Sequence, residues 1–584
     1  MGRWGRFVEW FNGRELSENA ILLGFAVAIG VLSALGVIAF YRSIDLAYTV
    51  FYRWPGSVMT RVGTLAYRSV VTGAGVALAW WIMHRLARGT DGMNVPDIQL
   101  AIVRRGGHVP GRPALARTVA SAVTIGSGGS AGSEGPVVVL AAAIGSWLAR
   151  AFRFSPERMK VFVGCASGAA ISAAFNAPLA GAFFALEEML GSLSVTSFSP
   201  VVVSSVVAAV VSRSVLGNHP AFPIPQQYGY GSVSEVALFF PVLGIAAGLV
   251  SVVFVRTYFA VDALAARLRT HLPGIVVPWL AGAAVGALVW LSGGLLVGYG
   301  HLSIHMEMFG RLAWYALFAL AAGNIIATSL TLNGGGSGGV FTPSLSIGAA
   351  TGGGVGVLLA KLFPTLGIHP EAYALVGMGA LIAGATGAPI TGVLLVFEMT
   401  DDYAIVLPLM LTVVVSLLVA RRLEPDSLYS GWLRRRGERI DHGAARDVLA
   451  GICVRDAFDP EPRTIVEAAP VETLLGNLAH ADQAIYPVVD DEGRLAGVIT
   501  VWELGQLATT AVATGPLVIA ADVAQPSEVV GPADSLRVAI RKMGVRGASA
   551  VPVVDGATQR LVGLISRAHV VAALERHSAS DDVA

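Results

Sequence analysis

The chain has 584 residues, 54% hydrophobic and only 14% charged, with Lys+Arg 40 against Asp+Glu 39 and a mean hydropathy of +0.66. Ordinary soluble domains carry about 25% charged residues, and a soluble fold of this length has no core large enough to hide such an apolar surplus. The composition is that of a membrane protein. The near-neutral balance implies no nucleic-acid partner, and two cysteines, Cys165 and Cys453, exclude a disulfide scaffold and a Cys-rich metal site.

Arg3, Arg6 and Arg14 precede an uncharged stretch from Ala20 to Phe40. It is long enough to cross a bilayer core of roughly 30 Å and lacks the cleavage pattern of a signal peptide. The chain then stays apolar and Gly-rich to about residue 420, and residues 312–397 hold only Lys361 and Glu371 as charges. Complete spans are expected at 234–255 and 273–297. Other stretches are broken by Gly and Pro at 126–136, 176–181, 334–339 and 387–392. Irregular backbone at membrane depth survives only when buried in protein or lining a wet cavity, so these breaks point to a site built from helix ends. Cys165, inside an apolar run, reads as buried filler.

The breaks recur. Ala177-Pro-Leu-Ala-Gly181 with its following Glu187 matches Ala388-Pro-Ile-Thr-Gly392 with Glu398, 211 residues later, and Ser130–Pro136 resembles Ser337–Pro343, 207 residues later. Paired interrupted segments in two halves of a membrane protein mark a transporter binding site.

Arg421, Arg422 and Arg434–Arg436 close the apolar region. Basic residues there favour a cytoplasmic side for both termini. Normal charge density follows, with a second repeat: Tyr486-Pro-Val-Val-Asp490 leading to Gly497–Thr500, and Val551-Pro-Val-Val-Asp555 leading to Gly563–Ser566. Each reads as strand, turn, strand and helix, preceded by a helical stretch at Val471–His480 or Ser535–Met543.

An ionisable group inside a membrane domain needs a reason. Glu134, in Gly132-Ser-Glu-Gly-Pro136, is placed at a helix N-terminus, where free N–H groups and the dipole favour an anion. It can occupy that site itself, yield to a mobile anion, and swing out when protonated; a simple capping glutamate is the alternative. Glu187 and Glu188 end an apolar segment and point about 100° apart on a helix. One is expected at the surface and the other on an interior proton path, or both at a membrane boundary. Backbone N–H groups of Val340 and Phe341, in Gly339-Val-Phe-Thr-Pro343, can cradle an anion without a cation that would hold it too tightly. Tyr429 offers a neutral O–H donor or an interfacial anchor.

Together these segments resemble the CLC chloride channel and chloride/proton antiporter family, followed by tandem CBS domains. The likeness spans about residues 20–432 and 451–578. It rests on Gly132-Ser-Glu-Gly-Pro136, Gly339-Val-Phe-Thr-Pro343, the Glu187-Glu188 pair, Tyr429, and Gly387–Thr400, which looks like the family's helix that points at the anion. The resemblance implies a polytopic all-α fold with inverted repeats and broken helices, plus a small α/β CBS pair. Its expected layout is a cytoplasmic segment 1–18, a transmembrane domain 19–432 in halves 19–216 and 234–432, a linker 433–450, CBS domains at 451–510 and 518–578, and a tail 579–584. It also implies a homodimer. Glu134 matches the gating glutamate and Glu188 the internal proton glutamate; antiporters of the family carry both. The anion set becomes Met93, Ser133, Glu134, Gly135, Val340, Phe341 and Tyr429.

Two departures stand out. Gly92-Met-Asn-Val-Pro96 carries Met93 where the family has a serine that touches the anion, a feature reminiscent of its fluoride-exporting branch, although that branch generally lacks the CBS tail and the tyrosine. Ser133 stands where Lys or Arg is usual, which weakens the positive field at the outer entrance. CBS pairs often bind adenine nucleotides through Thr or Ser and an Asp three residues on. Here the positions are Thr500 with Glu503 and Ser566 with His569; neither keeps the Asp, and a structural role is the alternative. The resulting expectation is chloride/proton exchange in a multi-pass inner or plasma membrane protein. A passive channel, a fluoride exporter and a CBS-tailed divalent-cation transporter are its rivals. No enzyme active site or metal centre is expected, nor any cofactor beyond a nucleotide.

Overall fold

The computed structural model describes residues 18–53, 63–87, 93–217, 233–296, 312–438, 448–470, 483, 485–501, 503, 519–545 and 548–581. The chain divides into two compact units, Met1–His442 and Gly443–Ala584.

The first unit is helical. Its first half holds α1 (Glu18–Tyr48), α2 (Gly63–Leu86), α3 (Val95–Arg104), α4 (Gly111–Gly126), α5 (Glu134–Ala151), α6 (Pro156–Phe175), α7 (Pro178–Phe184, continued by a π turn at Ala185–Leu190) and α8 (Val195–Leu216). Its second half holds α9 (Val233–His271), α10 (Val276–Leu291), α11 (Trp314–Gly334), α12 (Phe341–Leu362), α13 (Pro370–Thr386), α14 (Pro389–Thr400), α15 (Val406–Leu423) and α16 (Leu428–Arg435). Among the described residues eight helices are long and apolar enough to cross a membrane. The spans expected at 234–255 and 273–297 fall in α9 and α10, but α9 runs on to His271 and α10 stops at Leu291. A helix of α9's length exceeds the bilayer core at 1.5 Å per residue, and its second part carries Arg256, Asp262, Arg267 and Arg269.

The repeat suspected in the sequence is a structural one, visible in how helices stop and start. Asn176, with φ 60°, ends α6, and Pro178 opens α7. Gly387, with φ 97°, ends α13, and Pro389 opens α14. A left-handed residue terminates a helix, and proline is pre-set for the first turn of the next. The small residues repeat as well. A Cβ on Gly181 would lie 2.5 Å from the Gly168 carbonyl oxygen, and one on Gly168 would lie 2.8 Å from the Gly181 oxygen. The corresponding pair, Gly392 and Gly379, allows 2.8 and 3.0 Å. Glycine lets α7 lie directly on α6, and α14 on α13, as helices without a hydrophobic drive between them require.

The second unit contains two matching hairpins. β2 (Ile485–Val489) and β3 (Leu495–Thr500) pair antiparallel, with the short β1 (Ile465–Val466) parallel to β2. β4 (Ala550–Val554) and β5 (Leu561–Ser566) pair antiparallel, and both hairpins carry an irregularity at the same place, after Val488 and after Val553. Its described residues also hold α17 (Val448–Gly451), α18 (Ala520–Val523), α19 (Leu536–Val545) and α20 (Arg567–Asp581). Leu536, Ala539 and Met543 of α19 pack with Val551, Val553 and Ile565. The helix expected at Ser535–Met543 is α19; the one expected at Val471–His480 lies outside the described residues, as does Gly92. Cys165 is fully buried.

Because the atom facing Gly181 is backbone, Gly181→Val cannot be relieved by a side-chain turn. It should destabilise the membrane unit by about 1–3 kcal/mol, read as a lower melting temperature in detergent, while Gly111→Ala, where a Cβ meets nothing within 4 Å, should not.

Candidate anion pathway

The two central breaks hold each other. Gly132 N–H donates to the Gly339 carbonyl at 2.7 Å, and Gly339 N–H donates back to Gly132 at 2.7 Å. Ser130 N–H donates to Thr331 Oγ1 (3.1 Å) and Ser337 N–H to Thr124 Oγ1 (3.0 Å). The Ser130 hydroxyl bonds that of Thr328 (2.9 Å), and the Ser337 hydroxyl bonds that of Ser121 (2.8 Å). Every contact recurs with its partners exchanged and 207 residues added. That reciprocity is the mark of an internal two-fold axis, and it satisfies the polar groups that a broken helix exposes inside a membrane.

Around this lattice four helix N-termini converge. A cavity of about 750 Å³ is lined by Asn94 and Val95 at the start of α3, Gly135 at the start of α5, Val340 just before α12, and Leu428 and Tyr429 at the start of α16. Each helix start brings partial positive charge from free N–H groups. Asn94 N–H donates to Asp97 at 2.6 Å, which steadies the entry to α3. The backbone and hydroxyl of Ser427 and those of Ser430 bond reciprocally and fix α16, so Tyr429 is held in place, 8% exposed.

Glu134 sits where the two halves meet, 3% exposed. Its carboxylate accepts from the Ser133 hydroxyl (2.8 Å), from Thr342 N–H (3.2 Å) and from the Thr342 hydroxyl. The acid of α5 therefore lies on the first turn of α12, a helix from the other half. Glu134 was expected on the amides of its own helix start, but the amide beneath it belongs to Thr342. Val340 lines the cavity, and the Phe341 ring is buried against Phe175 and Phe184. Thr342 was not singled out in the sequence, although its place in Gly339–Pro343 matches Gly135 in the first half.

Glu187 and Glu188 part company, as adjacent helical positions should. Glu188 is 6% exposed, and Gln99 Nε2 of α3 donates both to its carbonyl (2.7 Å) and to its Oε2 (3.1 Å). Gln99 Oε1 has no donor among the described residues. Glu187 instead accepts from Ile390 N–H (3.0 Å), Thr391 N–H (2.8 Å) and the Thr391 hydroxyl (2.7 Å). Glu398 returns the favour to Leu179 N–H (2.8 Å) and Ala180 N–H (2.7 Å). The helix at Gly387–Thr400 therefore does not offer its N-terminus to an anion; Glu187 already occupies those amides. Met93 is 5% exposed and belongs to the main apolar core, while its neighbours Asn94, Val95 and Pro96 face the cavity.

The nucleotide candidates lie in the other unit and are turned on themselves. Thr500 N–H and its hydroxyl donate to Glu503 Oε2 (2.7 and 3.0 Å), and Glu503 N–H donates to Thr500 Oγ1 (3.2 Å). Ser566 and His569 repeat the exchange, with His569 N–H donating to Ser566 Oγ at 3.2 Å. Both pairs are capping boxes, which close a helix start with their own side chains. Among the described residues no group of His, Cys, Asp and Glu could hold a metal.

Residues 75–421 match the family described as voltage gated chloride channel, and residues 454–504 and 520–576 match the CBS domain. The chain belongs to the CLC family. A ClcB-like chloride channel protein of Ralstonia nicotianae is 33% identical over 427 residues, which cover 71% of this chain and 97% of that protein. The H(+)/Cl(-) exchange transporter ClcA of Yersinia pseudotuberculosis is 29% identical over 455 residues, 74% of this chain and 91% of its own. The crystal structure of a slow cyanobacterial Cl-/H+ antiporter superimposes with a TM-score of 0.62 at 25% identity, covering 72% of this CLC chain and 99% of the antiporter.

Removing either cross-cap should cost similar stability. Glu187→Ala and Glu398→Ala are each expected to lower it by about 0.5–2 kcal/mol, the range for a lost helix cap, as read by thermal unfolding in detergent.

Proposed function

We propose that this CLC protein exchanges chloride for protons, with Glu134 as the gate at the anion pathway and Glu188 as the proton relay on the side of Tyr429. The observation that carries the reading is the convergence of four helix N-termini on one cavity, with a buried carboxylate resting on an amide from the opposite half. The helix starts offer a halide hydrogen bonds and dipoles in place of an ion pair, so an ion can bind and still leave. A carboxylate already in such a place competes with the anion. Protonation removes its charge and its claim to the Thr342 amide, so proton uptake and anion entry become one event. Glu188 is the second buried acid near Tyr429, and the named exchange transporters among the relatives support coupling rather than passive flow.

Met93 in the apolar core gives a fluoride preference no direct ligand. A divalent-cation pathway would need a cluster of oxygen ligands, and the cavity presents one carboxylate, Asp262. Arg421, Arg422, Arg434, Arg435 and Arg436 support placing the α16 end of the unit, and with it both termini, on the cytoplasmic side. The reading includes a homodimer with one pathway per subunit, as the family resemblance implies. It gives the CBS pair a structural role, since the groups that would hold a nucleotide already cap their own helices.

The test is flux from proteoliposomes under opposed chloride and proton gradients. Chloride should drive protons uphill in the wild type. Glu188→Gln should abolish proton movement and leave chloride flux, and Glu134→Gln should abolish proton movement with chloride flux no longer dependent on pH. Chloride flux with no linked proton movement in the wild type would falsify the exchange reading.

Thr342→Val gives a second check. A hydrogen bond to a charged group contributes about 1.5–3 kcal/mol, so loosening the hold on Glu134 should raise chloride flux at neutral pH. An unchanged rate would place the carboxylate elsewhere during turnover.

A further inference from the structure

Glu188 lies where the two halves differ. Its counterpart 211 residues later is Met399, 4% exposed, on the last turn of α14, which stays an α-helix to Thr400. The first half instead winds Ala185–Leu190 as a π turn. Single π turns are rare and recur at functional sites. The acid and the wide turn come together in one half, so the repeated frame is built without either.

Gln99 of α3 is fitted to that turn. It is 1% exposed. Its Nε2 donates to the Glu188 carbonyl at 2.7 Å and to Glu188 Oε2 at 3.1 Å. Both partners are acceptors, so this end of the amide is the NH2. One nitrogen thereby ties the side chain of Glu188 to its own backbone and fixes which way the carboxylate points. The other end, Oε1, is buried and takes no hydrogen bond among the described residues. A buried acceptor left empty is unfavourable and calls for a donor that arrives. Glu188 becomes such a donor once it carries a proton. The other ionisable groups that act on Glu188 are Glu187, Arg421 and Tyr429. Glu187 has its oxygens on the amides of Ile390 and Thr391. Arg421 offers only donors, one of them to the Pro425 carbonyl at 2.7 Å, and Tyr429 lines the cavity. The acceptor left without a donor is Gln99 Oε1.

We infer that Gln99 is the positioning residue of the proton relay: its NH2 holds Glu188 while the acid is charged, and its C=O holds Glu188 while the acid is protonated. A half-turn of the amide about its last side-chain bond exchanges the two ends. The proton stays on Glu188 throughout, and only hydrogen bonds change. Glu188 is thereby kept in one place in both states, instead of leaving the path whenever its charge changes. This rests on the exchange reading above and adds to it the residue that keeps the relay aligned.

Proton and chloride flux measured together in proteoliposomes of the full chain test this. Gln99→Met keeps the length of the side chain and removes both donor and acceptor. It should slow proton transport by about tenfold or more, the equivalent of one hydrogen bond to a charged group, and leave chloride flux within about twofold of the wild type. A purely structural role would lower both fluxes together, and equal losses overturn the inference. In a Glu188→Gln background the same substitution should change chloride flux no further, because Gln99 acts through Glu188; an additional loss there overturns it. Gln99→Glu keeps an acceptor at the same place and can share one proton with Glu188, so it should transport protons faster than Gln99→Met, and equal deficiency overturns the inference. Should Gln99→Met fail to give monodisperse protein, loss of proton transport in Gln99→Glu overturns it instead. Proton transport that survives Glu188→Gln overturns the exchange reading and this inference with it; transport lost in Glu188→Gln but kept in Gln99→Met overturns this inference alone.

Discussion

Gly132 and Gly339 exchange a pair of hydrogen bonds at the point where both halves of the membrane unit stop being helical. A helix interrupted inside a bilayer leaves N–H and C=O groups that lipid cannot satisfy. Here the two interruptions satisfy each other. Thr124 and Thr331 reach across to the opposite loop, and so do the hydroxyls of Ser121 and Thr328. With the loops stitched in this way, α5 and α12 can begin in mid-membrane and aim their first turns at a common space. A Cβ at position 339 would lie 2.8 Å from the Gly135 nitrogen, so the chain can come this close only as glycine.

Function then resides where the two-fold breaks. The first half carries Glu134 where the second has Phe341, one a removable charge and the other a ring buried against Phe175 and Phe184. The symmetric residues build the frame, and the asymmetric ones place a single carboxylate at its junction.

Much of this was legible in the residues. Gly and Pro inside otherwise apolar runs have no good reading except a break, so the segments at 126–136 and 334–343 and their pairing stood out, as did the two hairpins of the C-terminal unit. The long α9 was under-read because its charged second part looks like a loop when only hydropathy is followed. Thr342 and Gln99 were missed for a different reason. Their roles exist only because Glu134 reaches a residue 208 positions away and Glu188 one 89 away, and no local spacing reports that. The same applies to Gly387–Thr400, whose break looks like those at the cavity yet whose first amides are spent on Glu187.

The swapped caps of Glu187 and Glu398 bear on how such a molecule can move. Each carboxylate belongs to one half and holds the helix start of the other, so sliding or tilting the halves against each other would tear four backbone N–H contacts from two partly buried acids at once. Large rocking motions, the usual way a two-fold carrier opens first to one side and then to the other, are therefore disfavoured in this scaffold. What such a frame leaves to shift is small, the one carboxylate side chain at the junction. Transport in such a frame is closer to the working of a valve than of a hinge.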